Sequence, residues 1–138
     1  MRPFLFSLLL MASFFQVACS TTPTKKSDAT RVSAEKQALY RVKNGDRNAF
    51  ITVVRDRGFI GSACDTDILI DNTRVGQVGP GEYIEIFLSA GTYILGANPR
   101  GICVGTLIEE QVNLKSGEVR FRIGIGANGN MRLMRTAL

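Results

Sequence analysis

The chain has 138 residues, with 17 Lys+Arg against 12 Asp+Glu, a formal net charge of +5, and no histidine. The lack of His removes the commonest general base, the Ser-His and Cys-His pairs, and most zinc sites. The length suits one domain after a short leader, not two.

The first element is a leader. Arg2 gives a positive start, and residues 4–15 form an uncharged apolar run. That run fits the roughly 7–15 residues of a secretory signal and falls short of the roughly 20 that a membrane-crossing helix needs. Small Ala18 precedes Cys19. Gln16-Val17-Ala18-Cys19 resembles the lipobox of bacterial lipoproteins, although Gln16 stands where Leu is usual. The resemblance implies that residues 1–18 are removed and that Cys19 becomes an acylated N-terminus, palmitate included, held by membrane lipid. Ser20, in place of the Asp that often retains such proteins at the inner membrane, implies the periplasmic face of the outer membrane. A non-lipidated leader cleaved nearby is the alternative. In either case export leaves little nucleic acid to meet, so the basic balance is read as solubilising charge or as affinity for anionic envelope material.

Residues 19–48 come next. The Thr/Ser/Lys-rich stretch 20–33 has no apolar period, the composition of a chain that buries no core. It is expected to be a flexible linker that holds a domain tens of ångströms from its anchor, at roughly 3.3 Å per extended residue. Residues 33–42 carry a turn or two of helix at most, too short to be stable alone.

Residues 49–138 read as an all-β domain. Short β-branched or alternating runs fall at 50–55, 67–70, 74–78, 82–88, 92–97, 106–114, 118–125 and 131–134, with Gly, Asn or Pro in nearly every gap. This spacing predicts a small antiparallel β-sandwich of seven to eight strands. Val119, Phe121, Ile123 and Ile125 share one face, as do Ile84, Ile86 and Leu88. Glu110 falls on the apolar face of Ile108, Val112 and Leu114, which suggests a bulge. With Cys19 committed to lipid, Cys64 and Cys103 are an even pair in an oxidising compartment and are expected to form a disulfide. Closing that loop is worth about 4 kcal/mol in the chain-entropy model.

Ile70-Asp71-Asn72-Thr73-Arg74-Val75-Gly76, then Gly81 to Ile86, then Ser89-Ala90-Gly91-Thr92-Tyr93-Ile94-Leu95 resemble the PEGA-type surface β-domain and a related family of bacterial lipoproteins. Asn72 stands for that pattern's turn Gly, Ala90 for its Pro and Tyr93 for its His. The resemblance implies a small sandwich and no known activity.

Several motifs are weighed and set aside. Residues 124–129 satisfy G-x-G-x-x-G, but no helix can follow so near the chain end, and a hairpin explains them better. A three-residue loop at Ala127-Asn128-Gly129 pairs Ile125 with Met131 and Ile123 with Leu133, keeping apolar opposite apolar, with Gly129 left-handed. Asp65, Asp67 and Asp71 lack the Gly and Glu of a calcium loop. Ser62, Ser89 and Ser116 have no His to activate them. No cofactor, metal or catalytic residue is therefore assigned.

What remains is a basic stripe. Arg120, Arg122 and Arg132 are placed together on the outward face of the last hairpin, with Gly124 leaving room beside them. Guanidinium groups suit phosphate and carboxylate, so an anionic envelope component or another envelope protein is the expected partner. A solvated face that guards a sheet edge is the competing reading. The function expected is a non-enzymatic binding or structural module of the cell envelope. The alternative is a small periplasmic hydrolase working through Glu109 and Glu110 or through Asp65 and Asp67.

Overall fold

The computed structural model describes residues 21–103 and 105–137; the leader 1–18 and Cys19 lie outside the described residues. The chain forms β1 (Thr30–Arg31), β2 (Ala49–Arg55), β3 (Thr66–Ile70), β4 (Thr73–Val78), β5 (Glu82–Leu88), β6 (Gly91–Pro99), β7 (Ile108–Leu114), β8 (Gly117–Ile125) and β9 (Met131–Thr136). Each of the eight runs expected from the sequence is a strand, and the architecture is a small β-sandwich. One sheet has the order β1-β5-β2-β8-β9 and the other β4-β3-β6-β7.

Alternation decides which residues meet between the sheets. Ile51 and Val53 of β2, Ile84 and Ile86 of β5, and Phe121 and Ile123 of β8 face Ile68, Leu95 and Val112 of the second sheet in one buried cluster. Each such side chain stabilises the fold by roughly 1.5–3 kcal/mol through burial. The hairpin β8–β9 has the expected register, Ile125 opposite Met131 and Ile123 opposite Leu133, and Gly129 has φ +79°. Asp71 (φ 47°) and Asn72 (φ 63°) both take the left-handed region in the tight β3–β4 turn, where Asp and Asn are the least strained non-glycine choices.

Four expectations need correction. The four-stranded sheet is wholly antiparallel, but in the five-stranded one β2 runs parallel to β8 and β1 parallel to β5. Alternation along a strand does not encode the direction of its neighbour. Glu110 marks no bulge, since the β6–β7 register is continuous. It sits exposed at the rim of an edge strand, where an inward-pointing charge discourages pairing with another chain. The bulge is at Val75, between the Ile68–Gly76 and Leu69–Arg74 pairs; it turns Val75 inward and Arg74 outward.

The third and fourth corrections concern residues 21–48, expected as a flexible linker with a helical turn at 33–42. The described part is laid against the sandwich, and its helical content is one 3-10 turn at Lys26–Asp28. Thr22 bridges Arg57, β1 pairs with β5, and Val32, 1 % exposed, joins the core. Between the sheets, Lys36 O accepts from Gln77 N–H of β4, while Gln37 Nε2 donates to Glu85 O of β5 at 2.7 Å. The segment thus closes the β4–β5 flank and satisfies strand edges that would otherwise be open. Hydrogen bonds of its backbone and of the Gln37 side chain, with the ion pairs of Lys26 and Lys36, hold it there rather than a run of apolar side chains.

Candidate functional site

The outer face of the five-stranded sheet is polar where alternation turns the side chains away from the core. Phe50, Thr52 and Val54 of β2 lie beside Glu118, Arg120 and Arg122 of β8 and Tyr83 and Glu85 of β5. The segment 24–29 crosses this face. Between that segment and the end of β9 lies an open groove of about 730 Å³, lined by Lys25, Lys26, Arg120, Arg122, Tyr83 and Thr136 among others, with no carboxylate in its lining.

Counter-charges lie beneath it. Lys26 Nζ is 2.6 Å from Glu85 Oε1 and 3.3 Å from Glu118 Oε1, and it sits 5.5 Å from the ring centres of both Phe50 and Tyr83. Arg120 grips Glu118 with two nitrogens, at 3.2 and 2.8 Å, and Thr52 Oγ1 donates to Glu118 at 2.6 Å. Burial pushes the Glu118 carboxyl up, but the hydrogen bonds from Arg120 and Thr52 and the charges of Lys26 and Arg120 outweigh it, leaving it below the usual glutamate value. Arg122 Nε lies 3.2 Å from Asp56 Oδ2 but is not aligned to donate, so the pair is ionic without a hydrogen bond. Burial raises the Asp56 carboxyl against the Thr24 N–H bond and the Arg122 charge. Lys25 is exposed and has no ion pair among the described residues.

The expected stripe is therefore divided. Arg120 and Arg122 do meet in one basic surface, joined by Lys25 and Lys26, which sequence reasoning placed in a linker. Arg132 lies opposite Gly124, exposed and outside the groove lining. The space expected over Gly124 is filled: a Cβ there would meet Asp56 Oδ2 and Met134 Cε at 3.2 Å and Thr21 Oγ1 at 3.4 Å. The chain's own N-terminal segment covers the spot reserved for a ligand.

The carboxylates of the enzymatic alternative lie outside the lining of the basic groove. Glu109 and Glu110 are successive on β7, hence on opposite faces, and both are exposed. Asp65 is 3.2 Å from Lys36, and Asp67 is 2.8 Å from Arg74. No three of His, Cys, Asp and Glu cluster to hold a metal ion among the described residues.

Cys64 and Cys103 are joined in a disulfide, with Cα atoms 6.0 Å apart. Beside it is a cavity of about 220 Å³, walled by Ile60, Pro99, Ile125 and Met131, with Arg55 in its lining. Arg55 is 2 % exposed. Its Nη1 donates to the Cys64 and Val78 carbonyls and to Thr66 Oγ1, and its Nη2 to the Gly61 carbonyl. Burial lowers its pKa from the usual arginine value, against the more distant charges of Asp65 and Glu82. A charged residue at an inward position of a strand pattern was the available sequence signal. Compared with family models, with curated proteins and with solved structures, the chain finds no match in any of the three.

Proposed function

We propose that the chain is an envelope lipoprotein, anchored by acyl groups on Cys19 to the periplasmic face of the outer membrane, whose β-sandwich is a non-enzymatic binding or structural module. The leader and its junction at Cys19 support the anchor, the disulfide fits an oxidising compartment, and the turn-and-strand pattern resembles PEGA-type domains. The groove where Lys25, Lys26, Arg120 and Arg122 converge without a lining carboxylate carries the binding reading. Such a surface suits phosphate or carboxylate groups on an envelope polymer or an acidic protein face.

Two measurements test it. Cys19→Ala should move the protein from the membrane fraction to the soluble one; retention of the variant, with no lipid mass on the wild-type N-terminus, overturns the anchor. For the groove, a Lys25→Gln/Arg120→Gln/Arg122→Gln variant is compared with wild type for binding to envelope fractions across a salt series. Wild-type binding should weaken with salt, and the variant should lose most of that dependence. Arg132→Gln, outside the groove, should behave as wild type. Superimposable curves for wild type and the triple variant remove the groove as the binding surface.

A further inference from the structure

Two large apolar side chains stand almost fully in solvent at one end of the sandwich: Phe59 is 91 % exposed and Ile102 is 87 % exposed. Phe59 lies on the β2–β3 loop and Ile102 on the β6–β7 loop. These are the two loops that the Cys64–Cys103 bond ties together. The first loop is compact, since Ser62 N–H donates to Phe59 O and Cys64 N–H to Gly61 O, both at 3.2 Å, and Arg55 holds two of its carbonyls. Phe59 is thus presented on a braced loop. Isolated exposed apolar residues need no explanation, but two on loops clamped together form a surface with an occupant to identify.

The start of the described chain identifies it. Thr22 makes an antiparallel bridge to Arg57, its N–H donating to Arg57 O at 2.6 Å. In antiparallel pairing a step back from Thr22 to Thr21 is a step forward from Arg57 to Gly58. The packing agrees, because a Cβ on Gly58 would stand 2.8 Å from Thr21 Cα. Phe59 is the next residue. Cys19 precedes Thr21 by two positions, and two residues of chain span at most about 7 Å.

We infer that the disulfide-braced end of the sandwich rests on the membrane, with Phe59 and Ile102 entering the interfacial layer beside the lipid on Cys19. This rests on the anchor proposed above and replaces a domain held far from the bilayer by one seated upon it. A residue so close to an acylated cysteine cannot stand tens of ångströms from the bilayer. Aromatic and aliphatic side chains gain by burial at the depth of the headgroup–acyl boundary. The opposite end, at the Lys115–Ser116 turn, is then the far end: the nine residues of β8 separate it from the β8–β9 loop by roughly 30 Å.

The chain contains no tryptophan, so one introduced indole reports alone. Phe59→Trp and, separately, Ser116→Trp are made in the full lipidated protein and reconstituted in phosphatidylethanolamine/phosphatidylglycerol vesicles doped with a lipid brominated on its acyl chains. The lipid on Cys19 is verified by mass. The Phe59→Trp indole should shift to the blue and lose most of its emission to the brominated lipid, while the Ser116→Trp indole keeps its own. If the protein floats with the vesicles but the Phe59→Trp indole is unquenched, or both indoles are quenched equally, the seated end is wrong and the anchor stands. A protein without lipid mass that stays in solution overturns the anchor, and the seating with it.

Discussion

Thr21 and Ile125 hold each other across almost the whole chain: Thr21 N–H donates to Ile125 O at 3.1 Å, and Ile125 N–H donates to Thr21 Oγ1 at 2.9 Å. The folded unit therefore begins at or before Thr21, well ahead of its first long strand. This pairing and the Thr24–Asp56 bond that follows it place the backbone of Lys25 and Lys26 at the groove.

Acid should loosen this N-terminal strap. The Glu118 carboxyl is held below its ordinary value, so the stability it contributes is complete above about pH 4.5 and is lost as pH falls through its lower folded value. Asp56 has the opposite sign: its raised carboxyl takes up a proton earlier in the folded state, so acidification relieves the cost of burying its charge. Hydrogen-exchange protection of residues 21–32, measured against the intrinsic amide rate at each pH, should fall below about pH 4.5, and Glu118→Gln should already show lowered protection at neutral pH. Protection in that segment that ignores both acid and the substitution would refute the Lys26–Glu118–Arg120 link as its fastening.

Gly76→Ala should open the β4–β5 flank. A Cβ there would stand 2.6 Å from Ile84 Cδ1 and 2.8 Å from the Lys36 carbonyl oxygen, and the latter is main chain that cannot turn aside. Gly76 has no positive φ, so crowding alone is tested. The cost should be about 1–3 kcal/mol in urea unfolding. Residues 33–39 should become sensitive to protease before the rest of the domain does.

Arg55→Met removes a buried charge but leaves the Gly61, Cys64 and Val78 carbonyls without their donor. Each orphaned acceptor costs about 1–3 kcal/mol, so the net effect should be a loss on the order of 3 kcal/mol. The residue-level signature is faster exchange in the 59–66 loop. A variant as stable as wild type would mean that water replaces the guanidinium there.

Replacing Cys64 and Cys103 together by Ser should cost about 4 kcal/mol by the chain-entropy argument for a loop of this length. Denaturant unfolding in oxidising buffer measures it. Reductant should lower the wild-type midpoint toward that of the double variant and leave the double variant unchanged.

Eight strands were legible because β-branched alternation and turn residues act locally, and the hairpin register followed from matching Ile125 with Met131. The N-terminal strap was not, since only Val32 of it is fully buried in the core, with Tyr40 partly buried against it. Its other attachments include main-chain bonds to Gln77 and Arg57, the Gln37 side chain on the Glu85 carbonyl, and the ion pairs of Lys26 and Lys36. A Thr/Ser/Lys-rich composition does not signal those partners. Arg120 and Arg122 could be read as outward and basic, whereas Lys25 and Lys26 could join them only once the strap was known to cross β8 and β5. Arg55 was passed over as the end of a strand, because its partners are carbonyls of a loop with no pattern of its own.

The parallel pairing of Ala49–Arg55 with residues of β8 sets an order of events. The β5–β2 pair can form early, but the other side of β2 stays an unpaired ladder until about half the chain length further on has been made. Parallel partners this distant carry a large loop-closure cost and form late. A chain threaded across a membrane from its N-terminus would thus hold no finished core while it is in transit. Consolidation waits for the last two strands, and truncation before Gly117 should leave a chain whose β2 edge is unpaired on its β8 side and whose core is unfinished.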